Sequence, residues 1–220
     1  MWNQIDVSFL PTPDIVSSLS TKVAGKPILD SGVEGGLFVG GEGWGYLPYQ
    51  NPDLLDWFKS IGEKYKIESV FEIGTYAGYS ATIFLEQFPH LKKIVTIDNA
   101  EISVRAGKAL KEKYGDKVEA ISASSRFYEP TGNFELVFID GNHNGKKPYD
   151  DTILAGKMNP KILMYDNIEL PDVQKAIKVA NLNDIKYNPQ YFFYVNEHKG
   201  KRQPGILGVF ETENYDWGLL

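Results

Sequence analysis

The sequence predicts a doubly wound α/β domain: a seven-stranded, mostly parallel sheet with helices on both faces. Two observations carry this. From Asn51 onward, short apolar runs alternate with helix-period segments in five β/α units, the pattern of a parallel sheet covered on both sides. After residue 189 the rhythm changes. Gln190–Asn196 and Gly205–Thr212 flank the basic segment Glu197–Pro204, which reads as an antiparallel hairpin closing one edge.

Each element follows from local chemistry. Asn51-Pro52-Asp53 is a helix start, with a capping side chain, a proline at the first helical position and an acid in the first turn. Leu54, Phe58, Ile61 and Tyr65 then share one helical face. Ser69–Ile73 is a short apolar run stopped by glycine, a buried strand. A helix is expected from about Gly78 to Gln87, a strand from Lys93 to Asp98 and a helix from Glu101 to Tyr114. In that helix Ile102, Ala106, Ala109 and Leu110 align and Gly115 is the stop. Strands follow at Val118–Ile121, Glu135–Asp140 and Lys161–Tyr165, with helices near Lys147–Met158 and Asp172–Ala180.

Composition narrows the class. The 220 residues suit one large domain with an extension, and 42 % hydrophobic with 24 % charged residues is too apolar for a disordered chain. Having no cysteine excludes disulfides, zinc-thiolate sites, iron–sulfur clusters and a thiol nucleophile. A net charge of −6 and a pI near 5.2 argue against nucleic acid as a partner. The longest run without Asp, Glu, Lys or Arg, Ile73–Leu85, is too short to span a membrane. The first ten residues carry an acid and no base, so no secretory leader is readable and a cytoplasmic location is expected. Residues 1–50 read as an N-terminal extension. Within it Gly35–Gly45 holds six of the 21 glycines, and with Trp44 and Tyr46 it is the candidate lid. Residues 51–220 read as one domain.

In an open α/β sheet the ligand sits beyond the carboxyl ends of the strands, where strand order reverses. Four such ends carry polar residues. Glu72-Ile-Gly74-Thr-Tyr76-Ala-Gly78-Tyr-Ser80 turns a strand through glycines into a helix, so backbone can approach a ligand closely. Its Gly-x-x-x-Gly spacing differs from a pyrophosphate-binding GxGxxG, and the acid two residues earlier suits a cationic or hydroxyl-bearing ligand. Asp98 ends the next strand, 20 residues after Gly78, where an acid takes ribose hydroxyls or caps the following helix. Asp140-Gly-Asn-His143 and Asp166-Asn167 end two later strands. Two carboxylates and an amide oxygen make a hard-oxygen half-shell of the kind Mg²⁺ accepts, and His143 lies near enough to face the same substrate.

On these residues the chain resembles the class I S-adenosylmethionine-dependent methyltransferases, which are Rossmann-like, and within them the metal-dependent O-methyltransferases of the catechol and caffeoyl-coenzyme A type. Phe71–Ser80 resembles that family's cofactor loop, Val95–Asp98 its ribose-binding strand, and Ser122-Ala-Ser124-Ser125 the segment near the adenine. Phe138-Ile-Asp140 and Tyr165-Asp166-Asn167 match its metal ligands. The similarity covers roughly Ile61 to Ile168. Where the catechol enzymes place a lysine this chain has His143, which is similar to the macrolide sugar O-methyltransferases.

The resemblance implies S-adenosylmethionine held by Glu72, Gly74, Tyr76, Gly78, Ser80, Asp98, Ser124, Ser125 and Asp140. It implies a divalent cation, Mg²⁺ first, on Asp140, Asp166 and Asn167, and His143 as general base toward a hydroxyl of a catechol-like or sugar-diol acceptor. The expected partner is that small acceptor, with no nucleic acid and no membrane; a homodimer stays open. Two other readings stay open too: a metal-independent N- or carboxyl-methyltransferase with structural aspartates, and a non-catalytic nucleoside-binding module.

Overall fold

The computed structural model describes residues 52–182, 187, 189–198 and 201–219, together with four two-residue strands at 22–23, 26–27, 32–33 and 36–37. The expected extension and glycine-rich lid, with Trp44 and Tyr46, otherwise lie outside the described residues.

The main chain runs α1 (Pro52–Tyr65), β1 (Ser69–Ile73), α2 (Tyr79–Gln87), β2 (Lys93–Asp98), α3 (Glu101–Tyr114) and β3 (Val118–Ser122). It continues through β4 (Leu136–Ile139), α4 (Lys147–Lys157), β5 (Ile162–Tyr165), α5 (Pro171–Val179), β6 (Gln190–His198) and β7 (Lys201–Glu211). These seven strands form one sheet of order β6-β7-β5-β4-β1-β2-β3. The pairs among β1 to β5 are parallel, while β7 runs antiparallel to both β5 and β6. Successive units step outward from β1 on one side and from β4 on the other. The order therefore reverses between β1 and β4, and a ligand crevice opens over their carboxyl ends.

The two-residue period of the strands divides the core between the faces. Val70, Ile94, Leu136, Phe138, Ile162 and Met164 pack under α1, α2 and α3, with Phe58, Phe84 and Phe88 forming an edge-to-face aromatic group beside Phe138. Phe71, Val95, Val137, Leu163 and Tyr165 point the other way, under α4 and α5. Helices thus cover both faces, as expected. Among the described residues no helix is long and apolar enough to cross a membrane.

The hairpin extends further than the sequence suggests. Its ladder continues to His198 opposite Lys201, so the expected eight-residue basic turn is largely strand. Only Gly208–Glu211 of β7 pair with β5, so Pro204 lies where β7 has β6 alone beside it among the described strands. A proline is tolerated there because no second ladder needs its missing N–H.

Candidate functional site

The carboxyl ends of β1, β4 and β5 are laced together. Asp140 N–H donates to Ile73 O at 2.8 Å, and Asp166 N–H donates to Ile139 O at 3.0 Å. Gly74 crosses between them with φ +106°, and a Cβ there would lie 2.0 Å from Asp140 O. Only glycine fits this crossing. The turn continues through Tyr76 (φ +41°) to Gly78, whose N–H donates to Thr75 O at 2.7 Å before α2 begins.

Above this turn lies a cavity of about 810 Å³, within the size range of small-molecule sites. It is lined by Gly74, Tyr76, Ser80, Asp98, Ser124 and Ser125 together with Asp140, His143 and Asn167. The structure thus brings most of the expected site residues to one space. Asp98 serves the protein as well as the cavity: its Oδ2 accepts from Tyr76 N–H at 2.7 Å and its Oδ1 from Ala100 N–H at 2.8 Å. An ionised carboxylate offers about four acceptor positions, so it can also take hydroxyls from the cavity.

Glu72, Gly78 and Asp166 do not line the cavity; Asp166 lies beneath it, beside Asp140. Glu72 lies on the α2 side of the sheet, opposite Thr96 in register, and is fully buried. Its carboxylate accepts hydrogen bonds from the Ser80 and Thr96 hydroxyls. The acid before the glycines therefore ties β1, β2 and α2 beneath the loop, where sequence reasoning aimed it at the ligand. Burial pushes its pKa up to about 7 against the lowering effect of those two hydroxyls.

Asp140, His143 and Asp166 bring one ligand atom each to within 4.8 Å of one another. Asp166 is 2 % exposed. The Asp140 carboxyl is held well above the usual range, first by burial and then by the charge of Asp166. His143 Nε2 stands 3.7 Å from Asp140 Oδ1; it is buried and has no hydrogen-bond partner among the described residues. Burial lowers the His143 pKa, with the charge of Glu169 opposing. Two crowded carboxyls fit a hard divalent cation, which would relieve the repulsion, and the unpartnered imidazole nitrogen stands beside them. Asn167 joins the cavity on the turn after β5 with φ +53°, its amide nitrogen donating to Glu169 Oε1 at 3.0 Å.

Two buried or half-buried acids escaped the sequence reading. Asp151 on α4 is 4 % exposed, lines the cavity and accepts from Ser125 Oγ at 2.7 Å. Burial pushes its pKa up to about 6. Its position on the apolar face of α4 with Leu154 and Ala155 was the available signal. Glu169 carried no such periodicity.

Residues 71–160 match the model of a family described as a methyltransferase domain. No curated protein matches the sequence. Among solved structures, the chain resembles the O-methyltransferase from Bacillus cereus in complex with SAH, with a TM-score of 0.57 and 16 % identity over 73 % of this chain and 81 % of that one. It also resembles a putative caffeoyl-CoA O-methyltransferase from Staphylococcus aureus (0.54, 15 %, 71 % and 82 %) and a putative RNA methyltransferase from Pyrococcus horikoshii (0.55, 11 %, 73 % and 85 %). The shared fold thus accommodates different acceptors, and the choice among them rests on the site.

Proposed function

Taking residues 71–160 as a methyltransferase domain in a chain with the S-adenosylmethionine-dependent O-methyltransferase fold, we propose that the protein methylates a hydroxyl of a small, cation-chelating acceptor. The observation that carries this reading is the continuity of one cavity from the glycine turn and Asp98 to Asp140, His143 and Asn167. A methyl donor beside the glycine turn and Asp98 and an acceptor beside His143 and Asn167 would meet inside it.

The glycine turn lets backbone lie close against the donor, Asp98 accepts the ribose hydroxyls, and Ser124 and Ser125 border the adenine. Asp140, Asp166 and Asn167 would hold a divalent cation, whose contribution when bound is to lower the pKa of a chelated hydroxyl. Being kept neutral by burial, His143 has a lone pair at Nε2 to take the proton of that hydroxyl. Fixing donor and acceptor in line supplies much of the remaining acceleration.

The Asp140 carboxyl, held well above the usual range beside Asp166, favours a second reading, in which a proton and not a cation relieves the repulsion and the acceptor is an amine or a carboxylate. Calorimetric titration with S-adenosylhomocysteine tests the premise common to both. Dissociation constants in the micromolar range, about −8 kcal/mol, are expected. No heat at millimolar ligand would overturn both readings.

A further inference from the structure

Glu169 sits two residues beyond Asn167, on the turn between β5 and α5. Both of its oxygens are engaged: Oε1 accepts from the Asn167 amide nitrogen at 3.0 Å, and Oε2 accepts from Ile206 N–H of β7 at 2.9 Å. The turn is fastened twice more, by Ile168 N–H to Ile206 O at 3.0 Å and by Leu170 N–H to Asn167 O at 2.9 Å. Glu169 is therefore fixed against β7.

The two ends of an asparagine amide have nearly the same shape, so packing alone cannot choose which one faces a ligand. With Oε2 taken by Ile206 N–H and Oε1 accepting from Asn167, the nitrogen end of Asn167 faces Glu169, and the oxygen end is the one turned from it. We infer that Glu169 is a positioning residue that presents the amide oxygen of Asn167, rather than its nitrogen, to a divalent cation shared with Asp140 and Asp166. The inference rests on the cation-binding reading of the site.

Glu169→Gln makes the prediction sharp. Glutamine has one accepting end and one donating end. With the acceptor kept by Ile206 N–H, its amide nitrogen confronts that of Asn167. Asn167 relieves the clash by rotating, which puts a nitrogen that cannot ligate toward the cation. In the exchanged pair, Asn167→Asp with Glu169→Gln, net charge is restored. One oxygen of the new aspartate accepts from glutamine, and the other faces the cation.

The experiment is a Mn²⁺ titration of the full chain, with free ion read by electron paramagnetic resonance and neither cofactor nor acceptor present. S-adenosylhomocysteine affinity serves as the check on folding. Glu169→Gln should weaken Mn²⁺ binding by about 10- to 100-fold, the usual effect of losing a ligand's hydrogen-bonded support. The exchanged pair should recover to within about threefold of wild type, under 1 kcal/mol, with the cofactor product bound equally by all three. Unchanged Mn²⁺ affinity in Glu169→Gln overturns the inference, as does an exchanged pair no better than the single variant. Joint loss of both ligands in both variants assigns Glu169 to folding alone and also overturns it. A wild type that binds no Mn²⁺ removes the cation reading itself, and the inference with it.

Discussion

Replacing Glu72 by glutamine should flatten a loss of stability between pH 5 and pH 8. The folded protein holds the Glu72 proton up to about pH 7, whereas the ordinary value for a glutamate is 4.5. Between those values the folded state binds more protons than the unfolded state, so stability is lost as pH rises through the window. The gap is worth roughly 3 kcal/mol in full, of which about 2.5 kcal/mol falls between pH 5 and pH 8. Glutamine has no such titration. Its oxygen can accept from the Ser80 hydroxyl, and its nitrogen can donate to Thr96 Oγ1, which pairs with Thr75 Oγ1 in either direction. Glu72 also raises the pKa of Asp140, so relieving that repulsion acts with the same sign. Urea unfolding of both proteins at several pH values gives the stability difference, in which titrations common to both cancel. That difference should move by about 2.5 kcal/mol in favour of the variant from pH 5 to pH 8. A difference that stays constant across the range would refute the assignment of a buried, protonated Glu72.

Gly74→Ala should cost about 3 kcal/mol or more, because the new Cβ meets Asp140 O at 2.0 Å on a backbone of φ +106°; a thermal melt unchanged from wild type would contradict this. Asp166→Ala should abolish tight Mn²⁺ binding while leaving S-adenosylhomocysteine affinity nearly intact, because Asp166 groups with Asp140 and His143 and does not line the cavity, and paired titrations check it. His143→Ala should keep both ligands yet lose rate by about 10²- to 10⁴-fold. The wild-type rate should rise with pH through a value below the ordinary 6.5 of histidine, since burial disfavours the imidazolium. Single-turnover rates that keep this ascending limb in the variant would mean that His143 is not the base.

The parallel part of the fold is legible because β1, β2, β4 and β5 are buried and each is bounded by a turn residue or a charge. Strand register, and hence the cavity, follows from those boundaries. Glu72 was misread because position in a strand does not say which layer lies above it. The same two-residue period that places Val70 in the core puts Glu72 beneath α2. The hairpin was underestimated for a different reason: Lys201 and Arg202 look like a solvated turn by charge, yet their backbone pairs with His198 and Glu197. The grouping of Asp140 with Asp166, and the place of Asn167 beside Asp166 in sequence, were legible from their positions at strand ends. Glu169 was not, because its partner Ile206 is 37 residues away on a strand that returns antiparallel. The candidate base His143 was visible as a residue type, but the burial that keeps it neutral belongs to the folded state.

The most direct test of cation-assisted methyl transfer to oxygen is turnover on a panel of small vicinal diols, with labelled S-adenosylmethionine as donor. Each acceptor is assayed with Mg²⁺, with excess chelator, and with Mg²⁺ restored. The account predicts label on an oxygen of at least one diol, lost in chelator and recovered on adding the cation. Transfer that persists undiminished in excess chelator would contradict it.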